Sequence, residues 1–479
     1  MILRTRVLPA ALALVLAPGL AVSLGSSTGA AQPRTASAGS AGIGDPYFPL
    51  DGNGGIDVQH YEIRDSYSFG FGRLSGRTRL DVRATQDLSR FNLDFVLDVS
   101  SVKVDGRRAS FRQTRGHELR IRPDSPLASG QHFQVVVRYA GVPADASSQG
   151  ESNWLAGPSE VVAMNEPHIA AWWFPANDHP RDKASFDIHI TVPRRKDVIA
   201  NGVLVGKRKR GGRLTTHWRA VEPMAPYLAF FAAGRFETRS VGCNGITNYV
   251  AVSEQRPPFA RAVSTRDFAQ TTCDVLTAFA NVLGPYPFSA TGGLVTSLPV
   301  GFALENQTRP TYPALPGPTP ALVAHEIAHQ WFGDLVSVTN WRDIWLNEGF
   351  AQYLQTYYLT EVTQGHSMQS WLTDSYESLD QEDTFWKLSI DDPGPDQLFD
   401  PAVYARGAMA VQALRHRIGD PAFWTLLRTW LAQRAFGNGS VAEFEALAAS
   451  TSGQDLTAFF DAWLHAKVPP AKTADNGLL

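Results

Sequence analysis

Length, composition and charge exclude several classes of protein for this chain. Its 479 residues allow about three domains at roughly 150 residues each, which disfavours a single small domain. Hydrophobic residues make up 44% and charged residues 19%, a balance that disfavours intrinsic disorder, collagen-like repetition and a coiled coil. The formal net charge of -3 lacks the basic excess of a dedicated nucleic-acid binder. We therefore expect a folded protein without a nucleic-acid partner.

The N-terminus has the pattern of a secretory signal peptide. Two arginines precede an apolar run at 7–24, and the small residues around Ala30 and Ala31 suit signal peptidase. A membrane anchor is the alternative, but two prolines interrupt the run and leave it short for a bilayer span. We expect removal of residues 1–31 and a secreted mature chain without stable membrane insertion.

A β-rich domain is predicted after a short leader. Residues 32–44 are mostly Ser, Ala, Gly and Pro, which predicts a flexible leader. From 45 to 238, short alternating apolar runs are separated by turn residues, a pattern typical of a β-sandwich or saddle. The basic tract at 207–210 is followed by Gly211 and Gly212, which favours a solvated hairpin over a nucleic-acid patch.

The second half, 239–470, is predicted to be a mainly α domain, followed by a tail at 471–479. Apolar residues recur there with helical spacing. The predicted helices cover 259–283, 321–333, 344–359, 402–418, 421–434, 441–450 and 456–466. In an oxidising compartment Cys243 and Cys273 could form one disulfide, which the sequence alone leaves open.

A metal-binding pentad lies on one of these helices. His325 and His329 belong to the sequence H-E-I-A-H, which puts two imidazoles on one helix face with Glu326 between them. Hydrolytic zinc usually takes three protein ligands and keeps a position for water, so a carboxylate is expected nearby. Glu348 follows after eighteen intervening residues, in an apolar and aromatic stretch where a solvated carboxylate fits poorly.

These two segments resemble a known family. H-E-I-A-H-Q-W-F-G-D followed by W-L-N-E-G-F-A is similar to the gluzincin zinc metallopeptidases of the aminopeptidase N and leukotriene hydrolase family. The N-terminal segments G-D-P-Y-F-P at 44–49, W-F-P at 173–175 and P-M-A-P-Y at 223–227 are also similar to it. The resemblance implies an all-β N-terminal domain, then a thermolysin-like catalytic domain with one Zn²⁺ on His325, His329 and Glu348.

The same resemblance implies three further site residues. The family element G-x-M-E-N is matched by F-A-L-E-N at 302–306, which implies that Glu305 binds the α-ammonium group of the substrate. The family element Q-x-E is matched by M-N-E at 164–166, which implies that Glu166 binds the same group. The element Y-x-[KR]-G-A is matched at Tyr404, whose hydroxyl is implied to donate to the developing oxyanion. Phe302 and Met164 depart from the family pattern, so we expect an altered subsite for the amine and the substrate backbone.

The sequence thus predicts a secreted zinc aminopeptidase acting on peptides with a free N-terminus, in which Glu326 is the general base. It is expected to be a two-domain short form without the large C-terminal helical domain of many relatives, and with a more open cleft. A zinc endopeptidase of the same fold and a secreted binding module that has lost catalysis are the alternatives. Epoxide hydrolysis, known in the leukotriene branch, has no support from a lipid pocket in the sequence. Side-chain preference and oligomeric state stay open.

Overall fold

The structure is a computed structural model that describes residues 35–114, 116–148, 150–379 and 384–479. The predicted signal peptide lies outside the described residues. Within these ranges, no helix has both the length and the apolar character needed to cross a bilayer.

The N-terminal half is built from β-strands, as predicted. Its elements are β1 (Ser37–Ala38), β2 (Ile56–Ser68), β3 (Arg73–Ala84), β4 (Leu88–Asp94), β5 (Asp98–Val104), β6 (Arg107–Arg108), β7 (Ser110–Gln113), β8 (Glu118–Arg122), β9 (His132–Gly141), β10 (Leu155–Ala156), β11 (Val161–Ala163), the short helix α1 (Ala170–Trp173), β12 (Ala184–Pro193), β13 (Asp197–Ala200), β14 (Val203–Arg210), β15 (Arg213–Met224) and β16 (Phe231–Gly234).

An eight-stranded sheet in the order β14-β15-β12-β2-β3-β9-β5-β6 dominates this half. Its long strands alternate buried and more exposed residues, so one face packs on the core and the other is polar. Two four-stranded sheets accompany it, in the orders β1-β4-β8-β7 and β10-β11-β16-β13. The predicted hairpin connects β14 to β15, and its turn requires glycine because Gly211 and Gly212 have φ values of 55° and 76°.

The prediction of a flexible leader up to residue 44 is wrong for its C-terminal part. Strand β1 pairs in parallel with β4, and the Gly39 amide donates to the Arg90 carbonyl at 2.8 Å. The Gly42 amide likewise donates to the Gly52 carbonyl at 3.0 Å. Small residues suit this close backbone pairing: a Cβ at Gly39 would lie 2.5 Å from the Gly54 carbonyl oxygen. This segment has the composition of a linker, but it pairs as a strand at the edge of a sheet.

The C-terminal half is mainly helical around a small sheet. Its elements are β17 (Phe236–Cys243), β18 (Ile246–Ser253), α2 (Thr265–Leu283), β19 (Ala290–Thr296), β20 (Thr311–Pro313), α3 (Pro320–His329), β21 (Ser337–Val338), α4 (Trp345–Tyr357), α5 (Met368–Glu377), α6 (Pro401–Ile418), α7 (Asp420–Gln433), β22 (Asn438–Gly439), α8 (Val441–Ser452) and α9 (Thr457–Phe460). The sheet runs β17-β18-β19-β20, so the predicted boundary at residue 238 falls inside β17.

Most predicted helices are present, with shifted ends. Helix α2 begins at Thr265 rather than 259 because the Ser264 side chain caps it, accepting from the Asp267 amide at 3.2 Å. Helix α3 ends at His329 rather than 333. Helix α9 is short and continues as a π-helical turn, Asp461–His465, within the predicted range. Helix α5 was not predicted.

A disulfide joins the end of β17 to α2. Cys243 and Cys273 are bonded, with their Cα atoms 5.7 Å apart, so the pairing that the sequence left open is formed in the structure. The predicted tail is packed rather than free: the Trp463 indole donates to the Asn476 carbonyl at 3.0 Å, and Leu478 is buried.

Candidate active site

Helix α3 presents the H-E-x-x-H pentad to a cavity. The Thr319 hydroxyl caps the helix by accepting from the Leu322 amide at 3.3 Å, and Pro320 occupies the first helical position. One turn separates His325 from His329, so their rings share a face with centroids 4.9 Å apart. The helix thus fixes two nitrogen donors side by side.

Helix α4 brings the third donor to the same point. Its Glu348 Oε2 lies 3.2 Å from His325 Nε2 and 3.4 Å from His329 Nε2. Between the two helices, Asn340 and Asp343 cap a 3₁₀ turn reciprocally, which fixes the start of α4. Burial alone would raise the pKa of Glu348, but the adjacent His329 and His325 outweigh burial and lower it to about 2.

The donor set fits a zinc ion. His329 Nδ1 donates to the Phe332 carbonyl at 3.0 Å, which leaves the Nε2 lone pair facing Glu348. Two imidazoles and one carboxylate, all buried and with ligand atoms within 4.8 Å of one another, match the ligands of a catalytic zinc site. These three residues are the ones that the sequence predicted.

The cavity beside these residues is strongly acidic. It has a volume of about 420 Å³ and is lined by Glu166, Glu305, Glu326 and Glu348 as well as the two histidines. Burial raises the pKa of Glu326 and of Glu305, and burial together with the neighbouring Glu305 raises the pKa of Glu166. Oε1 of Glu166 is buried and has no hydrogen-bond partner among the described residues. Four carboxylates facing two imidazoles favour bound cations.

Tyr227 holds one of these carboxylates in place, and sequence reasoning did not identify it as a site residue. Its hydroxyl donates to Glu305 Oε1 at 3.2 Å, and Gln330 Nε2 donates to the Glu305 carbonyl at 3.0 Å. The Tyr227 ring packs edge-on against Trp341, with centroids 5.2 Å apart. Tyr227 belongs to the P-M-A-P-Y segment quoted for the family resemblance, so a signal was present, but its partner lies 78 positions away.

Helix α6 carries Tyr404 to the same cavity, beside His325. Its ring lies 6.0 Å from the His325 ring, and it lines the cavity. Burial, followed by the negative charge of Glu348, raises the pKa of the Tyr404 hydroxyl, so the group keeps its proton and can donate. The helix starts with an Asp400 cap that accepts from the Ala402 amide at 2.8 Å.

Two glycines set the spacing between α4 and α6. A Cβ at Gly407 would lie 2.7 Å from Gly349 Cα, and a Cβ at Gly349 would lie 3.0 Å from Gly407 Cα. Only glycine permits this close approach of two helix backbones. Gly349 follows Glu348 directly on α4, and Gly407 is about one turn after Tyr404 on α6. The contact between the two glycines therefore fixes the distance between the Glu348 carboxylate and the Tyr404 hydroxyl.

The two departures from the family pattern have different surroundings. Phe302 is 43% exposed and forms part of the cavity wall, as expected for a residue beside the substrate. Met164 is fully buried and does not line the cavity. The Met164 side chain packs in the core, so the altered amine subsite expected from the loss of the family's glutamine amide at this position stays a prediction.

All seven predicted site residues line one cavity: Glu166, Glu305, His325, Glu326, His329, Glu348 and Tyr404. Together, the fold and the H-E-x-x-H and Glu348 ligand set define a gluzincin-type metallopeptidase. Residues 59–228 match the Peptidase M1 N-terminal domain and residues 317–463 match the Peptidase family M1 domain. The chain belongs to peptidase family M1.

Curated relatives that are named as aminopeptidases agree with this assignment. The chain is 23% identical over 430 residues to leucyl aminopeptidase of Saccharolobus solfataricus, covering 85% of this chain and 53% of that protein. It is 27% identical over 407 residues to endoplasmic reticulum aminopeptidase 1 of Homo sapiens, covering 76% and 42%. The chain spans about half the length of the curated relatives that it matches.

Similarity to solved structures extends over almost the whole of those chains. The crystal structure of the M1 zinc metallopeptidase from Deinococcus radiodurans is 28% identical, with a TM-score of 0.80, and the match covers 90% of this chain and 98% of that one. A mutant of that metallopeptidase bound to the peptide Tyr-Ser-Ala gives the same TM-score and identity. Both domains of this chain thus have a counterpart in a solved M1 structure.

Proposed function

We propose that the protein is a zinc-dependent aminopeptidase that removes single residues from the N-terminus of peptides. The observation that carries this proposal is the pair of carboxylates, Glu305 and Glu166, which share the cavity with the metal-ligand cluster but are not part of it. An ammonium group held there lies at a fixed distance from the metal site, which favours cleavage after the first residue.

His325, His329 and Glu348 would hold the zinc ion, which supplies a Lewis acid for the scissile carbonyl and for the attacking water. Glu326 lies in the same cavity and is not a ligand of the predicted set. We assign its carboxylate the role of taking a proton from water and passing it to the leaving amine. The products are one free amino acid and the shortened peptide, so one water molecule is consumed per bond cleaved.

Tyr404 and the amine-binding carboxylates complete the assignment. The Tyr404 hydroxyl donates a hydrogen bond to the substrate carbonyl oxygen as negative charge develops there, which lowers the barrier more than it stabilises the bound substrate. Glu305, oriented by Tyr227, accepts from the ammonium group, and Glu166 offers its unpartnered Oε1 to the same cation. Both carboxylates are buried, so an ammonium ion compensates their charge.

A substrate pair tests the proposal. Zinc-loaded enzyme is assayed on an aminoacyl-arylamide with a free amine and on its N-acetylated counterpart. We expect cleavage of the free amine only, and loss of that activity in Glu326→Gln, which keeps the size of the side chain but cannot accept the proton. Equal cleavage of the acetylated substrate would favour the endopeptidase alternative, and absence of cleavage with bound zinc would favour the binding module.

We also propose that the mature protein is secreted. Support comes from the signal-like sequence at 1–31 and from the Cys243–Cys273 disulfide, which suits an oxidising compartment. N-terminal sequencing of protein recovered from culture medium tests this: a first residue just after Ala30 or Ala31 is expected, whereas intact Met1 in the cell fraction would contradict it.

A further inference from the structure

A cluster of imidazoles lies on the polar face of the eight-stranded sheet. Asp187 and His189 are on β12, His60 is on the neighbouring β2, and His217 is on β15, directly opposite His189. Three of the chain's 12 histidines thus occupy one patch formed by three adjacent strands. We call these four residues the outer histidine cluster.

The side chains of the cluster converge on one carboxylate. Asp187 Oδ2 lies 3.5 Å from His60 Nε2, and Asp187 Oδ1 is hydrogen-bonded to His217 Nε2. Ligand atoms of Asp187, His189 and His217 all lie within 4.8 Å of one another. His60 Nδ1 is paired with the Ser185 hydroxyl at 2.8 Å, so its other ring nitrogen is the one directed at Asp187.

This donor set has a defined metal preference. Imidazole nitrogen together with one carboxylate oxygen suits Zn²⁺, Cu²⁺ and Ni²⁺, whereas Ca²⁺ and Mg²⁺ prefer oxygen ligands. Bonds of about 2.0–2.1 Å to zinc require ligand atoms that lie only a few ångströms apart, as they do here. We propose that Asp187, His189 and His217, with His60 as a fourth donor, bind a second divalent transition-metal ion on the N-terminal domain.

Two contacts in the cluster determine how the ion binds. Arg219 Nε donates to Asp187 Oδ1 at 2.8 Å, which leaves Oδ2 as the oxygen free for a metal. The His189 and His217 rings are stacked with centroids 3.8 Å apart, so one ring must turn for both to direct a nitrogen at one ion. The His217 side chain is 19% exposed and the Asp187 side chain 16% exposed, which gives the ion access from solvent.

The second site is separate from the peptidase site. None of its four residues lines the cavity that contains Glu326 and Glu348. Filling or removing the second site is therefore expected to leave the aminopeptidase rate unchanged. The proposal stands independently of the proposed function, since it concerns metal content rather than peptide cleavage.

Metal counting tests the proposal. The full mature chain is stripped with a chelator, equilibrated by dialysis against low-micromolar zinc, and its bound zinc is measured by atomic emission. We expect two equivalents for the wild type and one for His189→Gln/His217→Gln. The matched control is His132→Gln, an exposed histidine on β9, which should keep two.

Two further measurements remove ambiguity. In His189→Gln/His217→Gln, the zinc equivalent retained at His325, His329 and Glu348 and an unchanged thermal unfolding midpoint show that the variant is folded. His325→Ala should lose the other equivalent while keeping the one at the outer histidine cluster. One equivalent in the wild type, or two in His189→Gln/His217→Gln, would overturn the proposal, and neither outcome depends on whether peptides are cleaved.

Discussion

The contact between Gly349 and Gly407 predicts a large catalytic effect from a single added methyl group. In Gly407→Ala the new Cβ would lie 2.7 Å from Gly349 Cα, whereas ordinary contacts begin at about 3.4 Å. Helices α4 and α6 must therefore separate by about 0.7 Å, because the obstructing atom is backbone and cannot rotate away. Glu348 and Tyr404 lie on these two helices, so their separation changes by a similar amount.

We estimate the effect of Gly407→Ala on stability from two opposing energies and its effect on kcat from the displacement of the site. Overpacking costs about 1–3 kcal/mol, and replacing a helical glycine by alanine returns about 1 kcal/mol, so we expect a net loss of stability of about 0–2 kcal/mol. A 1 Å misplacement at an active site can cost about 10²-fold in rate, so a shift of about 0.7 Å should lower kcat roughly 10- to 100-fold. The rate is therefore the more sensitive readout.

The assay measures kcat, zinc content and the free energy of unfolding for Gly407→Ala. The control is Gly206→Ala on β14, where an added Cβ meets no atom within 4 Å and all three quantities should stay unchanged. A Gly407→Ala enzyme with wild-type kcat and wild-type stability would refute the reasoning, because the two helices would then have accommodated the methyl group without moving the site.

Three further predictions concern named side chains. Glu305→Gln should lower kcat/KM about 10- to 150-fold, the worth of a charged hydrogen bond to the ammonium, with most of the loss in KM; unchanged kinetics on a free-amine arylamide would contradict this. Tyr404→Phe should lower kcat about 10²- to 10³-fold with little change in KM, as steady-state kinetics will show; a raised KM with kcat unchanged would indicate a role in ground-state binding instead. His168→Gln should destabilise the fold by about 3–5 kcal/mol at neutral pH. Burial lowers the pKa of His168, but hydrogen bonds to Asp51 and Glu151 outweigh burial and raise it to about 10. The charged imidazole therefore contributes its full stability below about pH 6.5, and that contribution is lost as the pH rises toward 10. Denaturant unfolding of both proteins across this range should show the difference shrinking, and a difference independent of pH would contradict the assignment.

The sequence could predict the metal ligands because their geometry is local. The spacing of His325 and His329 determines a shared helix face, and only the short strand β21 and one 3₁₀ turn lie between that helix and the helix that carries Glu348. The β-rich first half was predictable from its alternation for the same reason, since each strand carries its own pattern.

What the sequence could not predict depends on contacts between distant segments. The Gly349–Gly407 crossing requires knowing that α4 packs against α6, and the Tyr227–Glu305 hydrogen bond joins different elements. The pairing of β1 with β4 was hidden because its residues have the composition of a linker. Helix α5 did carry a local signal, since Ser367 caps it by accepting from the Gln369 and Ser370 amides.

The central claim is that the two carboxylates beside the metal site anchor the substrate by its N-terminus. The most direct measurement is the time course of products from an unblocked peptide of about ten residues, followed by mass spectrometry with zinc-loaded enzyme. We predict a ladder in which each product is one residue shorter at the N-terminus, with the C-terminus intact throughout. Fragments produced by cleavage at an internal bond, present from the first time points, would contradict the claim.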